Sequence, residues 1–143
     1  MSQESKLEQL KQDIAAIGKS RPVRVLIVDD DKDSRMLIRD LLEPYNVVVL
    51  EASNGVDALQ ALSLEKYDVV LLDVKMPHMN GIEAHKAIKA KWPSVRVFIC
   101  TAYLEWPGLE TVLEDGCVQI ISKNFLEKSL AEIFEPLCKK QTT

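Results

Sequence analysis

Val25-Leu26-Ile27-Val28-Asp29-Asp30 is an apolar run that ends abruptly in acid, and Val69-Val70-Leu71-Leu72-Asp73 repeats the pattern. Short runs of β-branched and aliphatic residues such as these read as strands buried on both faces, as in a parallel sheet. The carboxylates that follow must then lie at the rim of the sheet, where water or a cation can compensate them. In open parallel sheets the carboxyl ends of the strands are where ligands bind. Three acids gathered at one rim repel one another and need a cation. Hard divalent ions, Mg²⁺ above all, take oxygen ligands of this kind.

The rest of the chain alternates in step. Val23–Val28 reads as the first strand, Asp33–Leu42 as a helix, and Val47–Glu51 as the second strand. After the Asn54-Gly55 turn come a helix over Val56–Leu64, the third strand at Val69–Asp73 and a helix over Gly81–Lys91 that stops before Pro93. Val95–Cys100 is the fourth strand, Gly108–Glu114 a short helix closed by Gly116, and Val118–Ser122 the fifth strand. Phe125–Lys139 is a last helix bent at Pro136, because proline lacks an N–H and clashes with the preceding turn. Five strands alternating with five helices imply an α/β fold, a doubly wound parallel sheet with helices on both faces. Ahead of it, Leu7, Leu10, Ile14 and Ile17 form one apolar stripe on an N-terminal helix, with a stop at Gly18. That helix either docks on the domain or pairs with a second copy. The expected organisation is an extension over 1–21, one domain over 22–140 and a tail over 141–143, with no output module following.

Composition removes several function classes. At 143 residues the chain is long enough for one good core. The net charge of −4 and the lack of a dense basic cluster argue against nucleic acid as a partner. Lys86, Lys89 and Lys91 read as a solvated helix face. No apolar run approaches the length of a membrane span, and the polar N-terminus is no signal peptide. Cys100, Cys117 and Cys138 lack metal-ligand spacing and fit a reducing cytoplasm.

Four features converge at one sheet edge: Asp29-Asp30 after the first strand, Asp73 after the third, Thr101 with small Ala102 after the fourth, and Lys123 after the fifth. A cation site, a carboxylate, a hydroxyl and an ammonium suit phosphoryl transfer, in which catalysis is mostly positioning and charge neutralisation. Asp73 can itself be the nucleophile, since carboxylates form aspartyl phosphates.

With these residues in place, the chain resembles a receiver domain of the two-component response-regulator family. The resemblance is carried by Val25–Asp30, by Asp68 through Pro77 with Asn80-Gly81 behind it, by Thr101-Ala102 and by Lys123. It covers about residues 23 to 139. It implies a flavodoxin-like sheet in the order 2-1-3-4-5. It implies that Asp73 accepts a phosphoryl group from a phosphohistidine on a sensor histidine kinase or histidine phosphotransfer protein. Asp30, Asp73 and the backbone carbonyl of Lys75 would bind Mg²⁺ directly and Asp29 through water, while Thr101 and Lys123 would grip the phosphoryl oxygens. The fourth helix of the alternating part, the fifth strand and the last helix would meet a downstream protein or a second copy.

The chain departs from the family pattern at three places. Asn124 stands where proline usually follows the lysine, so the Lys123-Asn124 peptide is either trans or a strained cis bond. Asn124 with Glu127 also resembles a capping box. Ile120 replaces the usual aromatic switch residue. Lys75 and Tyr103 are both bulky and are expected to screen an acyl phosphate from water. His78 and His85 read as solvated, Trp106 as a contact residue or a hydrophobic cover, and Asp31 or Lys32 as a helix cap. Two competing functions remain. One is a receiver-fold adaptor that works without phosphorylation. The other is a metal-dependent phosphatase using Asp29 and Asp31, although Asp33 stands where that chemistry favours Thr.

Overall fold

A computed structural model describes residues 3–139. The expected tail over 141–143, residue 140 and the first two residues lie outside the described residues. The order is α1 (Gln3–Gly18), β1 (Val23–Val28), α2 (Lys32–Leu42), β2 (Val47–Ala52), α3 (Gly55–Leu64), β3 (Val69–Leu72), α4 (Gly81–Lys91), β4 (Arg96–Thr101), α5 (Thr111–Glu114), β5 (Gln119–Ser122) and α6 (Leu126–Phe134). All strands pair in parallel, in the order β2-β1-β3-β4-β5.

Because side chains alternate across a strand, the central strands feed two cores at once. Val23, Val25, Ile27, Val69, Leu71, Phe98 and Cys100 pack under α2 and α6. Leu26, Val28, Val70, Leu72, Val97 and Ile99 pack under α3, α4 and α5. This double burial is why β3, and β1 from Val25 onward, read as unbroken apolar runs. Their register then fixes the rim. Val28 lies beside Leu72, so Asp29 and Asp73 leave the sheet together. Thr101 lies beside Ser122, so Lys123 leaves β5 next to the end of β4.

The N-terminal stripe docks on its own domain. Leu10 and Ile14 are buried in the first core, with Leu7 and Ile17 packed against it. Gly18 lets α1 press against the turn after α6: a Cβ there would lie 2.5 Å from Leu137. Polar ties reinforce the seat. Asp13 accepts from Arg96 at 2.6 Å, and Asp68 accepts both terminal nitrogens of Arg21 at 2.8 and 2.9 Å. Lys6 donates to the Leu113 carbonyl at 2.9 Å.

Several local expectations are corrected. The helix expected from Gly108 begins only at Thr111, because Gly108 has φ +84, outside helical space. The last helix ends at Phe134, and Glu135–Leu137 is a 3₁₀ turn containing Pro136. Asn124 does not cap it. Asn124 lies inside a 3₁₀ turn over Lys123–Phe125, where its N–H donates to Ser122 Oγ at 3.2 Å. The Lys123-Asn124 peptide is trans. His85 is fully buried on the inner face of α4 rather than solvated. Lys89, expected on a solvated face, folds back onto the carbonyls of Pro93 and Val95 at 2.9 and 3.0 Å.

Candidate functional site

The acidic part of the rim and its lysine come from three strand ends, those of β1, β3 and β5. Asp29 and Asp73 are almost fully buried and Asp30 is exposed. One carboxylate oxygen from each of the three lies within 4.8 Å of the others. Lys123 reaches in from β5, with Nζ 2.7 Å from Asp29 Oδ2, 3.1 Å from Asp73 Oδ2 and 3.4 Å from Ser34 Oγ. The other Asp73 oxygen accepts from the Val74 N–H at 2.7 Å, and the other Asp29 oxygen accepts from the Asp31 N–H at 2.9 Å.

The electrostatics follow from this crowding. Burial, then the charge of Asp29, push the Asp73 carboxyl above its ordinary value, and Lys123 with the Val74 N–H offsets only part of that. Burial pulls on the Lys123 ammonium, but the hydrogen bond to Asp29 and the charges of Asp73 and Asp29 outweigh it and hold it above its ordinary value. The rim therefore carries three carboxylates against one ammonium. Three hard oxygen donors so close together fit a divalent cation such as Mg²⁺.

Thr101 is fully buried at the end of β4, where its Oγ1 accepts from the Tyr103 N–H at 2.9 Å and keeps its own proton to donate. Lys75 is exposed, two residues beyond Asp73. Its Nζ lies 3.5 Å from the Tyr103 hydroxyl and 5.1 Å from the ring centroid. Tyr103 in turn meets Trp106 edge-on at 6.0 Å. Trp106 is partly buried against the second core and lines a cleft of about 480 Å³ with Tyr103, Ser122 and Asn124, so it is both cover and accessible wall. Ile120 packs against the same core, as plain sheet packing. His78 is exposed in the loop after Asp73, with φ 71.

The sequence motif behind Asp73 has a steric reason. Gly81 donates its N–H to the Val74 carbonyl at 2.8 Å, and a Cβ there would lie 2.1 Å from the Asp73 carbonyl oxygen. Asn80 caps α4, accepting from the N–H groups of Ile82 and Glu83 while the Glu83 side chain returns to the Asn80 N–H. The loop carrying Asp73 is thus pinned to a helix start.

The family model of the response regulator receiver domain matches residues 25–135. The chain belongs to that family. This receiver domain is 34% identical over 118 residues to the chemotaxis protein CheY of Listeria monocytogenes, a match spanning 82% of this chain and 99% of that one. It is 35% identical over 120 residues to the sensor histidine kinase GacS of Pseudomonas protegens, spanning 80% of this chain but 13% of that protein's length. Among solved structures it resembles the response regulator TrrA of Thermotoga maritima in complex with Mg²⁺-BeF, at 28% identity and a TM-score of 0.67, covering 78% of this chain and 98% of that one.

Of the residues expected at the rim, Asp29, Asp30, Asp73 and Lys123 meet there, and Thr101 ends β4 beside Ser122, next to Lys123. Two further residues reach it that were not read from sequence. Ser34 borders Lys123. Arg35 donates to the Asp29 backbone oxygen at 2.6 Å. A signal for Arg35 exists: a cation in the first turns of a helix opposes the macrodipole and needs another partner to hold it. Asp31 is the N-cap of α2, accepting from the Asp33 N–H and the Ser34 hydroxyl, so its carboxylate is engaged away from Asp29.

Proposed function

We propose that this receiver domain takes a phosphoryl group onto Asp73 from a phosphohistidine donor, with Mg²⁺ as cofactor, and signals through protein contacts that depend on that modification. The observation that carries the reading is the placement of Lys123 between Asp29 and Asp73, with Asp30 completing a cluster of hard oxygen donors. A carboxylate oxygen of Asp73 attacks the donor phosphorus, the phosphorus–nitrogen bond breaks, and the imidazole leaves with a proton from solvent. The product is an acyl phosphate, and later attack by water on phosphorus returns the carboxylate and inorganic phosphate. Asp30, Asp73, the Lys75 backbone carbonyl and Asp29 would hold the Mg²⁺, which supplies positive charge against the phosphoryl oxygens. Lys123, already within hydrogen-bond reach of Asp73, supplies a second positive charge, and Thr101 supplies a hydroxyl proton. The Mg²⁺-BeF complex of TrrA supports the same assignment here.

The donor is a sensor histidine kinase or histidine phosphotransfer protein. Met36 and Leu37 on α2, the helix that follows Asp30, and Phe125, two residues after Lys123, are exposed large apolar side chains, suited to a protein donor. The output surface is the face of α5, β5 and α6, facing a downstream protein or a second copy. Among the described residues no helix is long and apolar enough to cross a membrane, and we place the protein in the cytoplasm. Its only catalysis is its own phosphorylation and dephosphorylation. The N-cap role of Asp31 weighs against a phosphatase built on Asp29 and Asp31.

The test is incubation with Mg²⁺ and acetyl phosphate followed by intact-mass measurement of the parent protein and Asp73→Asn. An added phosphoryl mass in the parent alone supports the reading. No adduct from acetyl phosphate or from any phosphohistidine donor overturns it.

A further inference from the structure

A chain of side-chain hydrogen bonds runs from β2 to the backbone of the acidic rim. Glu51, beside Ile27 in the sheet, accepts from Arg35 Nε at 2.9 Å and from Arg39 Nε at 2.8 Å. Held on that side, Arg35 turns another nitrogen to the Asp29 backbone oxygen at 2.6 Å. The remaining groups of Asp29 are also engaged: its N–H by the Ala52 carbonyl at 3.1 Å and its carboxylate by the Asp31 N–H and Lys123. Arg35 is thus the side chain that secures the carbonyl from which the chain turns into Asp30. The planar guanidinium serves Glu51 and Asp29 at once, which a lysine ammonium does not reproduce.

We propose that Arg35, locked by Glu51, is a positioning residue for cation binding: it fixes the Asp29-Asp30 turn so that Asp30 faces Asp73 across the cation site. The inference rests on the Mg²⁺-dependent reading above. Its sign is diagnostic. Arg35 is a positive charge next to a cation site, so charge alone predicts that removing it tightens Mg²⁺ binding. Positioning predicts the opposite, as for other groups that orient metal ligands from outside the coordination sphere.

The test is calorimetric titration of Mg²⁺ into the full chain and its variants, with thermal midpoints measured alongside. Arg35→Ala is expected to weaken Mg²⁺ binding about tenfold, within the range seen when groups orienting metal ligands are removed. Glu51→Gln should weaken it less, and Arg35→Lys should recover only part. Arg39→Ala, which shares Glu51 but does not touch Asp29, should stay within about twofold of the parent. Added guanidinium ion should restore affinity to Arg35→Ala, a rescue that a general packing defect does not show. Unchanged or tighter binding in Arg35→Ala, or an equal loss in Arg39→Ala, overturns the proposal. Failure of the unaltered protein to bind Mg²⁺ overturns both this proposal and the function above, whereas parent binding with unaltered affinity in Arg35→Ala overturns the positioning role alone.

Discussion

Lys123 holds its ammonium 3.1 Å from Asp73 Oδ2, and the same nitrogen lies 2.7 Å from Asp29 Oδ2, so one cation from β5 bridges carboxylates at the ends of β1 and β3. Removing the one ammonium from a cluster of buried carboxylates leaves them uncompensated, which costs about 3 kcal/mol. Lys123→Ala should therefore lose about that much unfolding free energy at pH 7 without divalent cations, seen as a lower denaturation midpoint. Added Mg²⁺ should recover much of the loss, because it supplies the missing positive charge. Urea titrations with and without Mg²⁺ measure both, and equal Mg²⁺ effects on parent and variant would contradict the bridging role.

Asp73 gives the complementary case. Its carboxyl is pushed above the ordinary 3.8 by burial and by Asp29. A carboxyl raised in the folded state contributes stability that is full below 3.8 and is lost as pH rises through the folded value. At neutral pH the ionised group is thus a net cost. Asp73→Asn should raise the melting temperature by a few degrees at pH 7 without divalent cations. Mg²⁺ should then stabilise the parent, as any ligand of the native state does, and leave the variant unmoved. A lower melting temperature in metal-free Asp73→Asn would show that the pairing with Lys123 outweighs burial.

Gly81 is the tightest point behind the nucleophile, since a Cβ there would meet the Asp73 carbonyl oxygen at 2.1 Å and the Val74 Cα at 2.8 Å. Both contacts are backbone, so neither can swing aside. Gly81→Ala should cost at least about 2 kcal/mol through forced backbone displacement. It should also slow phosphorylation, because the displaced segment carries Asp73. Denaturation paired with acetyl phosphate kinetics checks the two effects, and a stable variant with parental kinetics would refute the contact.

Lys75, two residues beyond Asp73, and Tyr103, two beyond Thr101, are both exposed and meet Nζ to hydroxyl at 3.5 Å. If they screen the acyl phosphate from water, the Lys75→Ala, Tyr103→Ala double variant should lose phosphate faster. The expected acceleration is on the order of tenfold, equivalent to about 1.4 kcal/mol of barrier. Decay of labelled phosphoprotein after removal of the donor gives the rate. A half-life equal to the parent's would dispose of the screen.

What was legible in the sequence followed from burial. β3, and β1 from Val25 onward, are covered on both faces, so their apolar runs are unbroken and the acids after them stand out. Asn80-Gly81 is legible as a motif, but the reason for it is a close approach to the Asp73 carbonyl that exists only once the loop is folded against α4. Arg35 was hidden because its partners, Glu51 and the Asp29 carbonyl, come from another strand and from the backbone. The start of α5 was misplaced because nothing in the residue pattern marks Gly108 as left-handed. His85 was misread because its helical position gives the burial phase but not whether a polar residue on that face is enclosed.

That enclosure has a measurable consequence. His85 is fully buried on α4, and neither ring nitrogen has a hydrogen-bond partner among the described residues. Burial pulls it from 6.5 down to about 4, the nearby Lys89 adds to the shift, and Asp115 opposes it weakly. A group lowered in the folded state gives stability that is full above 6.5 and is lost as pH falls through the window down to about 4. Over the whole window this amounts to about 3 kcal/mol, of which about 2 kcal/mol falls between pH 6.5 and 5. Asp13, Glu51 and Asp68 are lowered carboxyls, whose losses begin further down, near and below their ordinary values. Asp73, raised above its ordinary value, works the other way and adds stability as pH falls, so the difference between the parent and His85→Leu, which share that carboxyl, is what reports on the imidazole. His85→Leu should flatten the dependence between pH 6.5 and 5, and should be more stable than the parent at pH 7 because no unpartnered ring nitrogen remains buried. Urea unfolding at pH 7, 6 and 5 compares the slopes, and a variant as acid-sensitive as the parent would place the proton uptake elsewhere.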